Sequence, residues 1–254
     1  MPEISVHFLG SGGWLPSGTR ETSCYAVRHS SDLLLLDAGT GLRRLVTQPA
    51  LLDGVTRLDV AVSHFHLDHV VGLSYLDALG PAIERHIWGA GAWLYGVTTD
   101  SVLSRLLLAP YGSAAKEGLF REAHELRAGT ESIGPHPVRV RAQTRHSHPS
   151  VGFRYADLLA YCTDTAYDPG SAQLAAAASL LIHEAWVVGE RGTAYHSSGI
   201  EAARVARDAQ VGELALSHLD PRQDHALLLA EARAVFPHCD LAGDNRVVRY
   251  PAAG

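Results

Sequence analysis

Ser63-His64-Phe65-His66-Leu67-Asp68-His69 sets four potential metal ligands within six residues. The run that leads in, Leu58-Asp59-Val60-Ala61-Val62-Ser63, is apolar with turn signals around it and reads as a buried strand. Val70, Val71, Leu73 and Leu76 follow at helical spacing. His64, His66, Asp68 and His69 therefore fall on a strand-to-helix turn, where the backbone can aim several side chains at one point. Neutral imidazole nitrogens and carboxylate oxygens suit zinc and neighbouring divalent ions. A purification tag would be terminal and uninterrupted. This stretch is internal and alternates ligand with spacer.

The same stretch matches His-x-His-x-Asp-His at every defined position, and in this it resembles the metallo-β-lactamase superfamily. The resemblance implies an α/β fold, an αββα sandwich of two mixed β-sheets with helices on the outer faces. The element pattern agrees, because strands bunch early and alternate with helices later. Strands are expected at Ile4–Leu9, Ser23–Val27, Leu33–Leu36, Val138–Ala142, Leu158–Thr163, Leu180–His183, Leu214–His218 and Val247–Tyr250. Helices are expected at Leu42–Val46, Val102–Leu108, Ala172–Ala178, Ile200–Gln210 and Asp224–Phe236. No linker or low-complexity segment interrupts residues 1–254, so one domain is expected. Residues 77–135 are the least readable; a helix or loop covering the pocket, or a plain insertion, would fit there, and within it Arg121–Leu126 fits a short strand or a turn.

The chain has 254 residues, enough for a sizeable core. No apolar run approaches the roughly 20 residues of a membrane span. The start has no basic and apolar leader, and three scattered cysteines point to a reducing compartment rather than a disulfide framework. Both features make a cytoplasmic location the expectation. A net charge of −6 weighs against a large nucleic-acid footprint. Gly10-Ser11-Gly12-Gly13 lacks the Gly-Lys-Ser/Thr ending of a phosphate loop. The resemblance sets this loop near the metal centre, and it makes Asp37 a support for the metal loop. The arginines of Val138-Arg139-Val140-Arg141-Ala142 share one strand face, by default a solvated one.

Fifteen histidines invite a search for more ligands. Pattern alone leaves His146 and His148 as alternatives. The resemblance to ribonuclease Z and the phosphoribosyl cyclic phosphodiesterases, which carry a His six residues before a Gly-aromatic pair, selects His146 ahead of Gly152-Phe153. Asp164, at a strand ending in Thr163-Asp164-Thr165, matches the family's bridging Asp, since a carboxylate can bridge two metals and a neutral imidazole cannot. His218 resembles the final His, delivered by a strand. The resemblance thus implies that His64, His66 and His146 bind one metal and that Asp68, His69 and His218 bind another. Asp164 and a hydroxide would bridge two divalent ions, with Zn2+ expected and Mn2+ or Fe2+ accepted by the same ligands.

Leu181-Ile182-His183-Glu184-Ala185 and Tyr195-His196-Ser197-Ser198-Gly199 resemble two further ribonuclease Z motifs. They imply that Glu184 orients His196 near the scissile phosphate, so Glu184 and His196 join Asp68 as expected catalytic residues. Taken alone, His196 reads more simply as part of a helix start beside Ser197 and Ser198. One feature departs from ribonuclease Z: His146 and Asp164 are eighteen residues apart, which leaves no room for its tRNA-gripping arm. The expected function is a metal-dependent phosphodiesterase acting on a small phosphodiester or cyclic nucleotide-type substrate. The alternatives are a lactone or thioester hydrolase on the same metal site, and a ribonuclease Z-like endonuclease lacking the arm. Nucleic acid is not favoured as a partner, no membrane is expected, and a homodimer is expected by analogy alone.

Overall fold

Thirteen strands form two sheets in the computed structural model, which describes residues 3–112 and 115–251. In chain order they are β1 (Glu3–Gly10), β2 (Cys24–His29), β3 (Asp32–Leu36), β4 (Arg57–Ala61), β5 (Glu84–Gly89), β6 (Glu122–Glu125), β7 (Val138–Gln143), β8 (Ser150–Tyr155), β9 (Leu159–Cys162), β10 (Leu180–Glu184), β11 (Glu213–Ser217), β12 (Cys239–Leu241) and β13 (Val247–Pro251). The first sheet runs β13-β1-β2-β3-β4-β5-β6 and the second β12-β11-β10-β9-β8-β7. Each is mixed. Strands β3 to β6 are parallel, as are β9 to β12, and antiparallel pairs complete both sheets.

Leu33-Leu34-Leu35-Leu36 shows why the layers stack. Leu34 and Leu36 enter the core between the sheets, with Phe8, Tyr25, Phe153, Tyr161 and Ile182. Leu33 and Leu35 face the opposite way, against Leu42, Leu45, Leu73, Leu76 and Leu103 of the outer helical layer. A strand covered on both faces is apolar at every position rather than at alternate ones. The second sheet is covered likewise by the helices Pro169–Ala175, Gly199–Ala209 and His225–Val235. The architecture is the expected αββα sandwich. Among the described residues, no helix is long and apolar enough to cross a membrane.

The expected elements form with small shifts of their ends. Three strands were not expected: β5, β8 and β12. Much of 77–135 is therefore sheet and helix, with β5, the helix Thr99–Leu107 and β6 extending the first layer. Between them, the turn at Gly91–Tyr95 brings Tyr95 to the ligand loop, where its hydroxyl donates to the Pro149 carbonyl. On β7, Arg139 is exposed, while Arg141 donates to Asp168 at 2.7 Å.

Candidate metal centre

Every expected ligand lies just past the carboxyl end of a strand or on the loop that follows one. His64 to His69 follow β4, Asp164 follows β9, His218 follows β11 and Glu184 closes β10. His146 precedes β8 on the hairpin from β7. Carboxyl ends of parallel strands are where open α/β sheets present side chains to a crevice. Three residues of this centre that follow strand ends have left-handed backbones: Asp37 (φ 61°), Asp164 (φ 46°) and His218 (φ 51°). Each such conformation costs about 1–3 kcal/mol in a non-glycine residue and persists only where its surroundings enforce it.

The side chains converge in two overlapping sets. In one, Asp164 Oδ1 lies 3.2 Å from both His69 Nε2 and His218 Nε2. Asp68 Oδ2 lies 3.3 Å from His69 Nε2 and 3.2 Å from His218 Nε2, and those two nitrogens are 3.3 Å apart. Ligands about 2.0 Å from a tetrahedral ion are separated by about 3.3 Å, so these spacings match the edges of a tetrahedron around a divalent cation. In the other set, Asp164 Oδ2 lies 3.5 Å from His64 Nε2 and 3.6 Å from His146 Nε2, and His146 Nε2 lies 3.3 Å from His66 Nδ1. His64 Nε2 is buried without a hydrogen-bond partner, an expense that a bound cation would remove. The donor sets are His64, His66, His146 and Asp164, and Asp68, His69 and His218. They fit a metal ion in chemistry and spacing.

The electrostatics point the same way. Burial pushes His64 well below its usual range, helped by the neighbouring His69, and burial depresses His66 and His146 too. Neutral rings keep lone pairs for a metal. Burial alone would also lower His69, but Asp164, Asp68 and Asp37 outweigh it and raise this ring well above the usual histidine range. Burial opposes ionisation of Asp68 and Asp164, yet the surrounding imidazoles hold both carboxyls below their ordinary values. The carboxylates thus favour positive charge at this point of the fold, whether a proton or a metal ion supplies it.

Behind the ligands, Asp37 accepts from the Ser63 N–H and hydroxyl, from Tyr161 Oη and from His69 Nδ1. The support that the resemblance implies is therefore in place, and it orients His69 with Nε2 toward the ligand set. His148 stands behind His66, its Nδ1 3.4 Å from His66 Nε2, and it stacks on Tyr95.

Glu184 is fully buried at the end of β10. It accepts from the Thr165 N–H through Oε1 and lies 2.9 Å from His196 Nδ1 through Oε2. His196 packs on Trp186 and on His146, and one of its ring nitrogens falls within 4.8 Å of the Asp164 and His218 donors. Capping of the helix Gly199–Ala209 is done by Ser198 with Glu201, which leaves His196 free of that duty. Burial, with Asp164 nearby, raises the Glu184 carboxyl well above its usual range, and burial lowers His196. The contact between Glu184 Oε2 and His196 Nδ1 leaves His196 Nε2 outside the pair.

Trp14 was not anticipated. Its N–H donates to Asp68 Oδ2 at 2.9 Å from a left-handed backbone (φ 60°). Only its place beside the Gly-rich loop hints at it in the sequence.

Residues 33–219 match the family model described as beta-lactamase superfamily domain. The chain is similar to a ribonuclease Z of Synechococcus sp. (strain CC9605), at 31% identity over 95% of this chain and 96% of that protein. That alignment runs over 317 positions against a chain of 254, so the relative carries segments that this chain lacks. Among solved structures, the metallo-beta-lactamase fold protein YhfI from Bacillus subtilis superposes with a TM-score of 0.81 at 21% identity, covering 98% of this chain and 100% of that one. A diphosphatase from the PhnP family superposes with a TM-score of 0.73 at 16% identity, covering 98% of each. A family match across most of the chain, a ribonuclease Z relative along nearly its whole length and the αββα sandwich agree: the chain belongs to the metallo-β-lactamase superfamily, in its ribonuclease Z-related branch.

Proposed function

We propose that the protein is a metal-dependent phosphodiesterase that cleaves a small phosphodiester or cyclic nucleotide-type substrate. In this reading His64, His66, His146 and Asp164 hold one divalent ion, and Asp68, His69, His218 and Asp164 hold a second, with Zn2+ the first choice and Mn2+ or Fe2+ compatible. Such a pair supplies charge neutralisation at phosphoryl oxygens and lowers the pKa of water. The chain's own residues do the rest. Glu184, fixed by the Thr165 N–H, sets the ring of His196 through Nδ1. His196 Nε2–H then donates to a non-bridging phosphoryl oxygen and can pass its proton to the leaving oxygen. Trp186, stacked on His196 at 5.0 Å between ring centres, keeps water from that side.

The observation that carries this reading is the Glu184–His196 pair, its carboxylate fully buried, beside both ligand sets. A carbonyl substrate has one oxygen to stabilise, whereas a phosphodiester presents several and gains from an additional donor. The short His146–Asp164 connection, with the segments missing relative to the ribonuclease Z relative, favours small esters over tRNA. Metal-reconstituted protein is expected to hydrolyse bis(p-nitrophenyl) phosphate, and His196→Ala is expected to lose that activity while retaining its metal. No turnover with Zn2+, Mn2+ or Fe2+, or faster turnover of an aryl ester or lactone, would overturn the reading.

A further inference from the structure

Seven large apolar side chains are exposed among the described residues, and four of them lie on segments that carry or contact the ligand sets. Trp14 and Leu15 follow Gly13, Leu67 separates His66 from Asp68, and the Tyr195 carbonyl lies 3.0 Å from His146 Nδ1. Exposed apolar groups gathered at a polar site mark where a ligand's apolar part rests. Trp14 is the most firmly held of the four. Its N–H is bonded to Asp68, and the Gly13 N–H donates to the Leu219 carbonyl at 3.2 Å. The Arg222 guanidinium lies 5.0 Å from the centre of the Trp14 ring and is itself gripped by both Asp220 oxygens. Trp14 nevertheless remains 52% exposed. An indole backed by a fixed cation, with surface left open and its backbone pinned to a ligand residue, is arranged to receive a flat partner.

We propose that Trp14 is a specificity-determining platform on which a purine or pyrimidine base of the substrate stacks while its phosphate meets the adjoining ligand sets. The proposal rests on the phosphodiesterase reading and narrows it to base-bearing esters. A planar ring gains from a single aromatic surface, because stacking needs one face only. An alkyl chain gains from enclosure, which one indole does not provide.

Calorimetric titration of the metal-loaded protein with adenosine 5′-monophosphate, n-hexyl phosphate and inorganic phosphate tests this without turnover. The wild-type protein is expected to bind the nucleotide more tightly than phosphate. Trp14→Ala should weaken nucleotide binding about tenfold more than it weakens phosphate or hexyl phosphate binding. Trp14→Phe, which keeps a ring, should restore part of the difference. Equal losses for all three probes, an equal loss for hexyl phosphate and nucleotide, or no preference for the nucleotide in the wild type would overturn the proposal. Absence of phosphodiester turnover would instead remove the functional reading, and leave the binding comparison to decide the role of Trp14.

Discussion

Asp37 Oδ2 lies 2.7 Å from His69 Nδ1, with both side chains fully shielded from solvent. The same carboxylate accepts from the Ser63 N–H at 2.7 Å, the Ser63 hydroxyl at 2.9 Å and Tyr161 Oη at 2.7 Å. It thereby joins β3, the ligand turn and β9. Asp37→Asn would turn an amide N–H toward groups that themselves donate. Metal affinity is expected to fall about 10- to 100-fold, and stability by about 3 kcal/mol. Chelator competition and thermal melting measure the two effects. Unchanged metal affinity would show that the His69 orientation does not depend on Asp37.

Asp164 is shared by both ligand sets, Oδ1 facing His69 and His218 and Oδ2 facing His64 and His146. Asp164→Ala should therefore reduce affinity for both ions, whereas His146→Ala should affect chiefly one. Elemental analysis after dialysis is expected to give about two ions per wild-type chain, and fewer in Asp164→Ala than in His146→Ala. Equal retention in the two variants would contradict a bridging position.

The ligand turn was legible because its four ligands alternate with spacers behind a run that is apolar but for Asp59, whose buried carboxylate pairs with Arg57 and accepts from Trp88 Nε1. Strands β5 and β8, which bury arginines and lead into no such ligand pattern, were not. Arg85 on β5 is tied down by the Leu119 and Gly118 carbonyls, and Arg154 on β8 by the Ala156 carbonyl and Asp157. Residue spacing could not separate His146 from His148, since both lie on one hairpin loop. In space they differ, as His146 Nε2 faces Asp164 while His148 stands outside His66. Trp14 was hidden for another reason: no residue pattern announces a left-handed tryptophan, whose backbone is held there by Asp68 across 54 positions of chain.

Gly13 offers a steric test of the same centre. A β-carbon there would sit 2.6 Å from His218 Nδ1, too close for the ring to stay. Gly13→Ala should displace His218 from Asp68 and Asp164, and a shift of about 1 Å at such a site can cost about 100-fold in rate. Gly18 lies on the same loop, where a β-carbon would meet nothing within 4 Å. Gly18→Ala should therefore leave phosphodiester turnover and metal content near wild type. Comparable activity in the two variants would show that the Gly13 loop yields without disturbing His218.

His183 supplies a pH dependence separate from the ligands. Its Nδ1 donates to the Glu184 carbonyl at 2.8 Å, and its Nε2 is buried without a partner. Burial lowers its pKa from 6.5 to about 4. Between those values the unfolded chain takes up a proton that the folded chain refuses. The stability contributed by neutral His183 is thus fully present above about pH 6.5, and is lost as pH falls toward 4. The difference corresponds to about 3 kcal/mol. His183→Asn keeps a donor for the Glu184 carbonyl and cannot titrate. Denaturant melts of both proteins at pH 7.5 and pH 4.5, with metal removed from each, should show the wild type losing about 2–3 kcal/mol more than the variant. Parallel losses would place the acid sensitivity elsewhere in the histidine-rich core.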